Sequence, residues 1–192
     1  MMQFNSTTNK NNRITYTYTP KDKKYYQAFI QEGKENKDPN VERMTIFDLD
    51  GTLSNDKWRQ RFIDSSLPDN DPRKWHEYHV NCINDDLMNK HLVKDDMWSL
   101  NAAVFTGRPI TYKALTTKWL WLNGIPSTNL YMRAEGDLSP NWQVKEKFLQ
   151  QLCDWCKSHP FFIYPYMAYD DDQDVIRMYR EYGLKCSLIK RI

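Results

Sequence analysis

The sequence contains no run approaching the roughly 18 apolar residues of a membrane-crossing helix, so no membrane span is expected. Residues 1–12 are polar and rich in Asn and Thr, without the apolar stretch of a secretory signal, and none is expected. The four cysteines among 192 residues are irregularly placed, which argues for a reducing compartment, the cytoplasm by default, rather than a disulfide framework. No Gly-x-x-x-x-Gly-Lys-Ser/Thr occurs, so the chain carries no P-loop kinase of its own. Charge of one sign is also scarce. A formal net charge of +2 is too mild to argue for nucleic acid by itself. It is uneven, however: residues 1–40 hold seven Lys/Arg against four Asp/Glu (+3), which leaves −1 for the remainder.

What is present is a globular composition, 40% apolar and 14% aromatic, long enough for one domain with an appendage. Residues 1–40 read as a polar, basic extension. Within it, 1–13 form a disordered tail, Ile14–Thr19 is strand-like, and Lys21–Gln31 is a short basic helix bearing Tyr25, Tyr26, Phe29 and Ile30. Such an arm either touches a phosphate backbone or simply packs, solvated, on the domain. Residues 41–192 carry five short apolar runs: Met44–Asp48, Ala102–Phe105, Asn129–Met132, Tyr166–Tyr169 and Leu184–Ile189. Helical stripes separate the later ones, at Tyr112/Leu115/Trp119/Leu122, Val144/Phe148/Leu152/Trp155 and Val175/Tyr179/Tyr182. Gly124 with Pro126 stops the first stripe and Gly183 the third. The alternation predicts an α/β fold, a Rossmann-like parallel sheet with helices on both faces. Residues 54–100 are too many for a simple crossover and predict a small helical cap over the site. The cap's Trp58, Phe62, Trp75 and Tyr78 either stack on a base or form the cap's own core.

The chain is organised around Ile46-Phe47-Asp48-Leu49-Asp50-Gly51-Thr52-Leu53. Side chains alternate along a strand, so Asp48 and Asp50 project from its end on one side, and Gly51 permits a sharp bend. Two carboxylates at close range call for a cation between them, and a hard ion such as Mg²⁺ suits oxygen ligands. One carboxylate can then attack an electrophile while the other manages protons. Phe105-Thr106-Gly107-Arg108-Pro109 ends the second core strand and opens a helix, which suits a phosphate oxygen held by Thr106 and backbone N–H groups. Arg108 adds a bidentate clamp. Asp170-Asp171-Asp172 follows the fourth apolar run, and Lys145 opens the second helical stripe. Cys153, Cys156 and His159 lack a second pair at zinc spacing, and the two cysteines are expected to be buried in their helix.

These motifs, in this order, resemble the haloacid-dehalogenase (HAD) superfamily of phosphotransferases. From Thr45 to Ile189 the closer resemblance is to the 3′-phosphatase domain of bacteriophage-type polynucleotide kinase/phosphatases. It is carried by Phe-Asp-Leu-Asp-Gly-Thr-Leu-Ser, Trp75–Asp86, Thr-Gly-Arg-Pro, Tyr131-Met132-Arg133, Val144-Lys145-Glu146 and Ala168-Tyr169-Asp170-Asp171. The resemblance implies Asp48 as nucleophile forming an aspartyl-phosphate and Asp50 as general acid and base. Thr52, Thr106, Gly107, Arg108 and Lys145 would bind the phosphate. Mg²⁺ would sit on Asp48, the backbone carbonyl of Asp50 and the Asp170/Asp171 pair. Three positions depart from the family's pattern: Asn141 where it tends to carry Asp, Ser139 where Arg is expected, and Asp172 where it prefers Arg.

The expected activity is that of a Mg²⁺-dependent polynucleotide 3′-phosphatase in end repair, working in the cytoplasm (a host's, if virally encoded). The alternatives are a nucleoside monophosphate phosphatase and a catalytically idle nucleotide-binding module, the latter disfavoured by the intact Asp48/Asp50/Thr106/Lys145 set. The expected partners are a nucleic-acid 3′-phosphate end or a nucleotide, and a kinase or ligase on a separate chain.

Overall fold

A computed structural model describes residues 4–8, 14–18, 21–68, 71–93 and 101–190, the first two segments by their backbone alone. Five parallel strands form the central sheet in the order β5-β4-β3-β6-β7. They are β3 (Glu42–Asp48), β4 (Ala102–Pro109), β5 (Leu130–Arg133), β6 (Ile163–Asp170) and β7 (Lys185–Leu188). The remaining strands, β1 (Phe4–Thr8) and β2 (Ile14–Tyr18), pair antiparallel as a separate hairpin. Phe4–Thr8 is therefore a strand, where composition pointed to a disordered tail; the rest of residues 1–13 lies outside the described residues. The backbone of Phe4–Thr8 pairs in register with that of Ile14–Tyr18, from Phe4 opposite Tyr18 to Thr8 opposite Ile14.

The helices are α1 (Lys23–Glu35), α2 (His76–Val80), α3 (Lys90–Val93), α4 (Lys113–Leu122), α5 (Asn141–Ser158) and α6 (Gln173–Glu181). Central strands of a parallel sheet are covered on both faces, so alternate residues of β3 enter two different cores. Met44 and Ile46 join Phe105, Phe148, Leu152, Val175 and Tyr179 on the face covered by α1, α5 and α6. Phe47, Val104, Trp119 and Leu120 meet on the face covered by α4. Cys153 and Cys156 are buried free thiols in the first of these cores, as expected of helix cysteines. Among the described residues, no helix is long and apolar enough to cross a membrane.

Within the segment set apart as an extension, α1 is built into the main core. Tyr26, Phe29 and Ile30 are at most 2% exposed there, and the Tyr26 hydroxyl donates to Asp154. Gly33 continues this apolar face onto Tyr164, so closely that a Cβ at Gly33 would lie 2.2 Å from the Tyr164 ring. Tyr164 is itself buried and has no room to retreat. Gly33→Ala is thus expected to destabilise by about 1–3 kcal/mol, read as a lowered thermal midpoint with unchanged secondary structure. An unshifted midpoint would mean that α1 is not docked on β6.

Two strands run further than the apolar runs suggested, each past a register irregularity. Pro165 lies within β6 although it lacks an N–H, because the register with β3 shifts between Met44 and Thr45, opposite it. In β4 the ladder with β5 jumps from Thr106 to Pro109, leaving Gly107 and Arg108 out of register. The Thr-Gly-Arg-Pro segment is therefore strand and bulge, followed by a 3₁₀ turn at Ile110–Tyr112, and no helix starts at Thr106.

The described part of the cap is assembled from short helical pieces: 3₁₀ segments at Lys57–Phe62, Pro72–Trp75 and Asn81–Asn84, with α2 and α3. Residues 69–70 and 94–100 of the predicted 54–100 insertion lie outside the described residues.

Candidate active site

The chain builds β3, β4 and β5 toward one edge of the sheet, then crosses to place β6 on the other side of β3. In such sheets a crevice opens at the carboxyl ends of the two strands where the order reverses. Those ends carry Asp48 on β3 and Asp170 on β6, one step beyond the paired residues Phe47 and Tyr169. Just past the end of β3, Gly51 takes a φ of 86°, the left-handed bend that turns the chain after Asp50.

Lys145, in the opening turns of α5, is 1% exposed and reaches both strand ends. Its Nζ donates to Asp48 Oδ1 at 2.5 Å and to Asp170 Oδ2 at 2.7 Å. Burial opposes the ammonium charge, but Asp170 and Asp48 outweigh it and raise its pKa, so Lys145 is firmly protonated. Asp48 responds in the opposite sense. Burial pushes its carboxyl well above the usual carboxylate range; Lys145 pulls it back, while Asp170 and Asp171 push it further up. The pocket thus has more negative charge than Lys145 neutralises.

Asp48, Asp170 and Asp171 each offer an oxygen, all within 4.8 Å of one another, and could together hold a metal ion. Asp48 Oδ2 is buried without a hydrogen-bond partner, as an unfilled ligand position requires. A donor set of carboxylate oxygens alone suits a hard cation. Asp172 is occupied elsewhere: its side chain caps α6, accepting from the N–H groups of Asp174 and Val175.

The Asp50 carboxylate is not part of this cluster; the resemblance assigns the metal its backbone carbonyl, not its side chain. Its carboxylate lies between two guanidinium groups. Arg108 donates from Nε to Oδ2 at 2.8 Å and from Nη2 to Oδ1 at 2.6 Å. Arg59 adds a third bond, Nη2 to Oδ1 at 2.6 Å. Burial works against the charge, yet Arg108 and Arg59 outweigh it and hold Asp50 well below the usual carboxylate range. Arg108, expected to clamp a phosphate, is buried and forks onto Asp50 while still lining the cleft. The irregularity in β4 explains how, since a bulge re-aims the side chain it carries. It is pinned by Arg133, whose Nε donates to the Gly107 carbonyl at 3.0 Å.

Thr106 and Thr52 are both fully buried and line no part of the open cleft. The Thr106 hydroxyl accepts from the Arg108 N–H at 3.2 Å. Thr52 lends its carbonyl to Asn89 and leaves its own hydroxyl unpartnered. Gly107 lines the cleft against Asn141, whose Oδ1 would lie 2.9 Å from any added Cβ.

Two residues escaped the sequence reading. Arg59 is completely buried and shares its donors among Asp50, the Tyr78 carbonyl and Asp85, the last through Nε at 2.6 Å and Nη2 at 2.6 Å. Asp85, likewise buried, also receives Trp58 Nε1 at 2.9 Å and the Ser54 hydroxyl. Its backbone carbonyl takes Trp119 Nε1 at 2.8 Å. This web fastens the cap to the sheet through Asp50. The available signal was the position of Arg59 nine residues after Asp50, in a stretch where several charges alternate. Arg59→Lys keeps the charge but cannot fork to two carboxylates and a carbonyl. It is expected to cost about 2–3 kcal/mol in urea unfolding and to lower turnover. Wild-type stability in that variant would show the web to be incidental.

The carboxyl ends of the strands open into a cleft of 1080 Å³ lined by Asp48, Asp50, Asp171, cap residues and the 134–139 loop. The cap contributes Trp75, Tyr78 and His79 to its wall. Burial pushes His79 down to about 4, so its ring is neutral at ordinary pH.

The geometry can be set beside known proteins. No match was found among curated protein sequences. Two solved chains are similar: one from the Pnkp1/Rnl/Hen1 RNA repair complex (21% identity, TM-score 0.52) and one from a Pnkp1/Rnl/Hen1 complex (22%, TM-score 0.56). Each alignment covers 80% of this chain but only 44% and 47% of the respective solved chain, so this chain spans less than half of their length. At that identity they speak for the fold. Residues 42–191 match the family described as the polynucleotide kinase PNKP phosphatase domain, and the chain belongs to that family of HAD-type phosphatases.

Proposed function

We propose that this chain is a Mg²⁺-dependent phosphomonoester hydrolase that acts through an aspartyl-phosphate and removes the 3′-phosphate from a DNA or RNA end during end repair. The observation that carries the reading is the convergence of Asp48, Asp170, Asp171 and Lys145 at the reversal of strand order, with Asp50 held beside them. A module kept only for binding has no use for a second, ionised aspartate next to the first.

In the first step an Asp48 carboxylate oxygen bonds to phosphorus as the bond to the 3′-oxygen breaks, and that oxygen leaves with a proton from Asp50. In the second, water attacks the same phosphorus, Asp50 takes its proton, and the Asp48–phosphorus bond breaks to release inorganic phosphate. As it stands between Arg108 and Arg59, Asp50 is an anion suited to the second step. Its role in the first step needs a weaker grip, and a bound phosphate dianion drawing on Arg108 supplies one. Lys145, Gly107 and Arg108 surround the phosphate, and the buried Thr106 hydroxyl, which accepts from the Arg108 N–H, supports that loop. Mg²⁺ held by Asp48, Asp170, Asp171 and the Asp50 carbonyl would supply the positive charge that lets an anionic nucleophile approach a phosphate. Residues 41–192 form the phosphatase unit, with 54–100 as its cap.

The similarity to chains of an RNA repair complex supports a setting in which a ligase or kinase on another chain acts on the same ends. A mononucleotide is the second reading, favoured by the acidic residues Asp71, Glu135 and Asp137 that line the cleft.

The test is phosphate release from a 3′-phosphorylated oligonucleotide beside 3′- and 5′-mononucleotides. Release chiefly from the oligonucleotide is expected with Mg²⁺, lost on chelation and restored by excess Mg²⁺. Release from a mononucleotide alone would make the enzyme a nucleotidase, and chelator-resistant release would remove the metal from the scheme.

A further inference from the structure

One wall of the cleft is a run of rings. Trp75 meets Tyr78 edge-on at 5.9 Å between centroids, and Tyr78 meets His79 at 5.2 Å. His79 in turn lies 4.9 Å from Tyr112, tilted by 34°. Behind them, the Arg59 guanidinium sits 4.2 Å from the Tyr78 ring centroid. The hydroxyl of Tyr112 and Nδ1 of His76 are 2.9 Å apart, which fixes the Tyr112 ring. Tyr78 and His79 are buried within the wall, whereas Trp75 and Tyr112 keep part of their surface open to the cleft. Two rings that line a catalytic cleft, partly bare and locked in place by neighbours, present a stacking surface at little further entropic cost.

The charges along the same cleft point away from recognition through additional phosphates. Asp71, Glu135 and Asp137 line it, with Arg73 and Lys147 paired to the first and last. Of the cations lining it, Arg108 is bonded to Asp50 and committed to the scissile phosphate in the reaction proposed above. Arg133 is spent on three backbone carbonyls, those of Gly107, Asp137 and Ser139. A strand entering this cleft finds rings for its bases and little positive charge for its backbone.

We propose that the Trp75/Tyr112 face is a nucleobase subsite that recognises the terminal nucleoside of the substrate by stacking, so that the base next to the 3′-phosphate contributes more to binding than the charges of the phosphodiester chain behind it. This rests on the phosphatase reading above and names what that site recognises. Tyr112 follows Arg108 by four residues, so the segment that holds Asp50 also carries the ring that would seat the base.

The experiment compares two oligonucleotides of one length and sequence, ending in a 3′-phosphate on either a normal nucleotide or an abasic residue. Wild-type enzyme is expected to favour the base-bearing end about tenfold in kcat/KM, mostly through KM, as one stacked base provides. Trp75→Ala and Tyr112→Ala should each bring that ratio toward one, while Tyr112→Phe, which keeps the ring, should preserve it. The rate on the abasic end is the internal reference for folding in every variant. Equal rates on the two ends in wild type, or a ratio unmoved by both alanine variants, would overturn the subsite alone. No release from either end by wild type would overturn the phosphatase reading, and the subsite with it.

Discussion

Asp48→Asn is expected to abolish phosphate release, lowering kcat by a factor on the order of 10⁵ or more, as loss of a covalent nucleophile does. Asn keeps the shape and removes the attacking charge. The same substitution is expected to leave the protein folded, with a thermal midpoint equal to or above that of wild type. Asp48 sits buried beside Asp170 and Asp171, and its carboxyl is pushed well up by burial first and by those neighbours after Lys145 has pulled it back. Its charge is therefore an expense to the fold, and a neutral side chain relieves it. Lys145 retains Asp170 at 2.7 Å as its partner. Activity measured beside thermal unfolding checks both halves. Substantial residual turnover would remove Asp48 from the nucleophile's place, and a large drop in midpoint would show that its charge is structural.

Lys145→Met should do the reverse and damage the fold as well as the chemistry. Lys145 is a buried cation between two buried carboxylates. Removing one member of such a group leaves uncompensated charge and costs about 3–5 kcal/mol, far more than the group contributed over an apolar replacement. Turnover should fall below detection, because among the described residues Lys145 is the side chain that bonds both Asp48 and Asp170. The double variant Lys145→Met/Asp170→Asn separates the two effects. Relieved of one carboxylate, it should recover much of the lost stability and none of the activity. If the double variant were no more stable than Lys145→Met, the cost would lie in packing of the lysine stem rather than in charge.

Much of this centre is written locally in the sequence, and the parts that are not share a physical reason. Asp48 and Asp50 are readable because their spacing, the apolar run before them and Gly51 after them are all short-range features that a strand end imposes. Lys145, Asp170 and Asp171 are readable from their order after the strand and helix stripes. Arg59 and Asp85 were missed. They lie 26 residues apart among Lys57, Arg61, Asp64 and Asp86, and nothing local says which of these charges is buried. Burial there is decided by the meeting of cap and sheet. The aim of Arg108 was hidden for a similar reason: a bulge relative to β5 turns it, and a register shift between strands leaves no trace in either strand alone. The helix at Lys23–Glu35 was visible in Tyr26, Phe29 and Ile30, but its basic exposed face disguised how fully the other face is enclosed. The fold class itself was legible because alternation of strand and helix leaves few topologies open.

The web around Asp85 also sets how the enzyme can move. Lifting the cap would separate Arg59 from Asp50, Arg108 from Asp85, and the Trp119 indole from the Asp85 backbone carbonyl. Several kcal/mol opposes that, so a raised cap is populated on the order of once in a thousand molecules or less. The roof is a fixed one. A substrate must enter through the standing mouth of the cleft, end first, and product must leave by the same route. For the proposed substrate this is a filter by topology, since a free terminus can be threaded where the middle of a strand cannot. Turnover would then be governed by how quickly a chain end slides in and out past the ring wall, with no opening step for a partner to control.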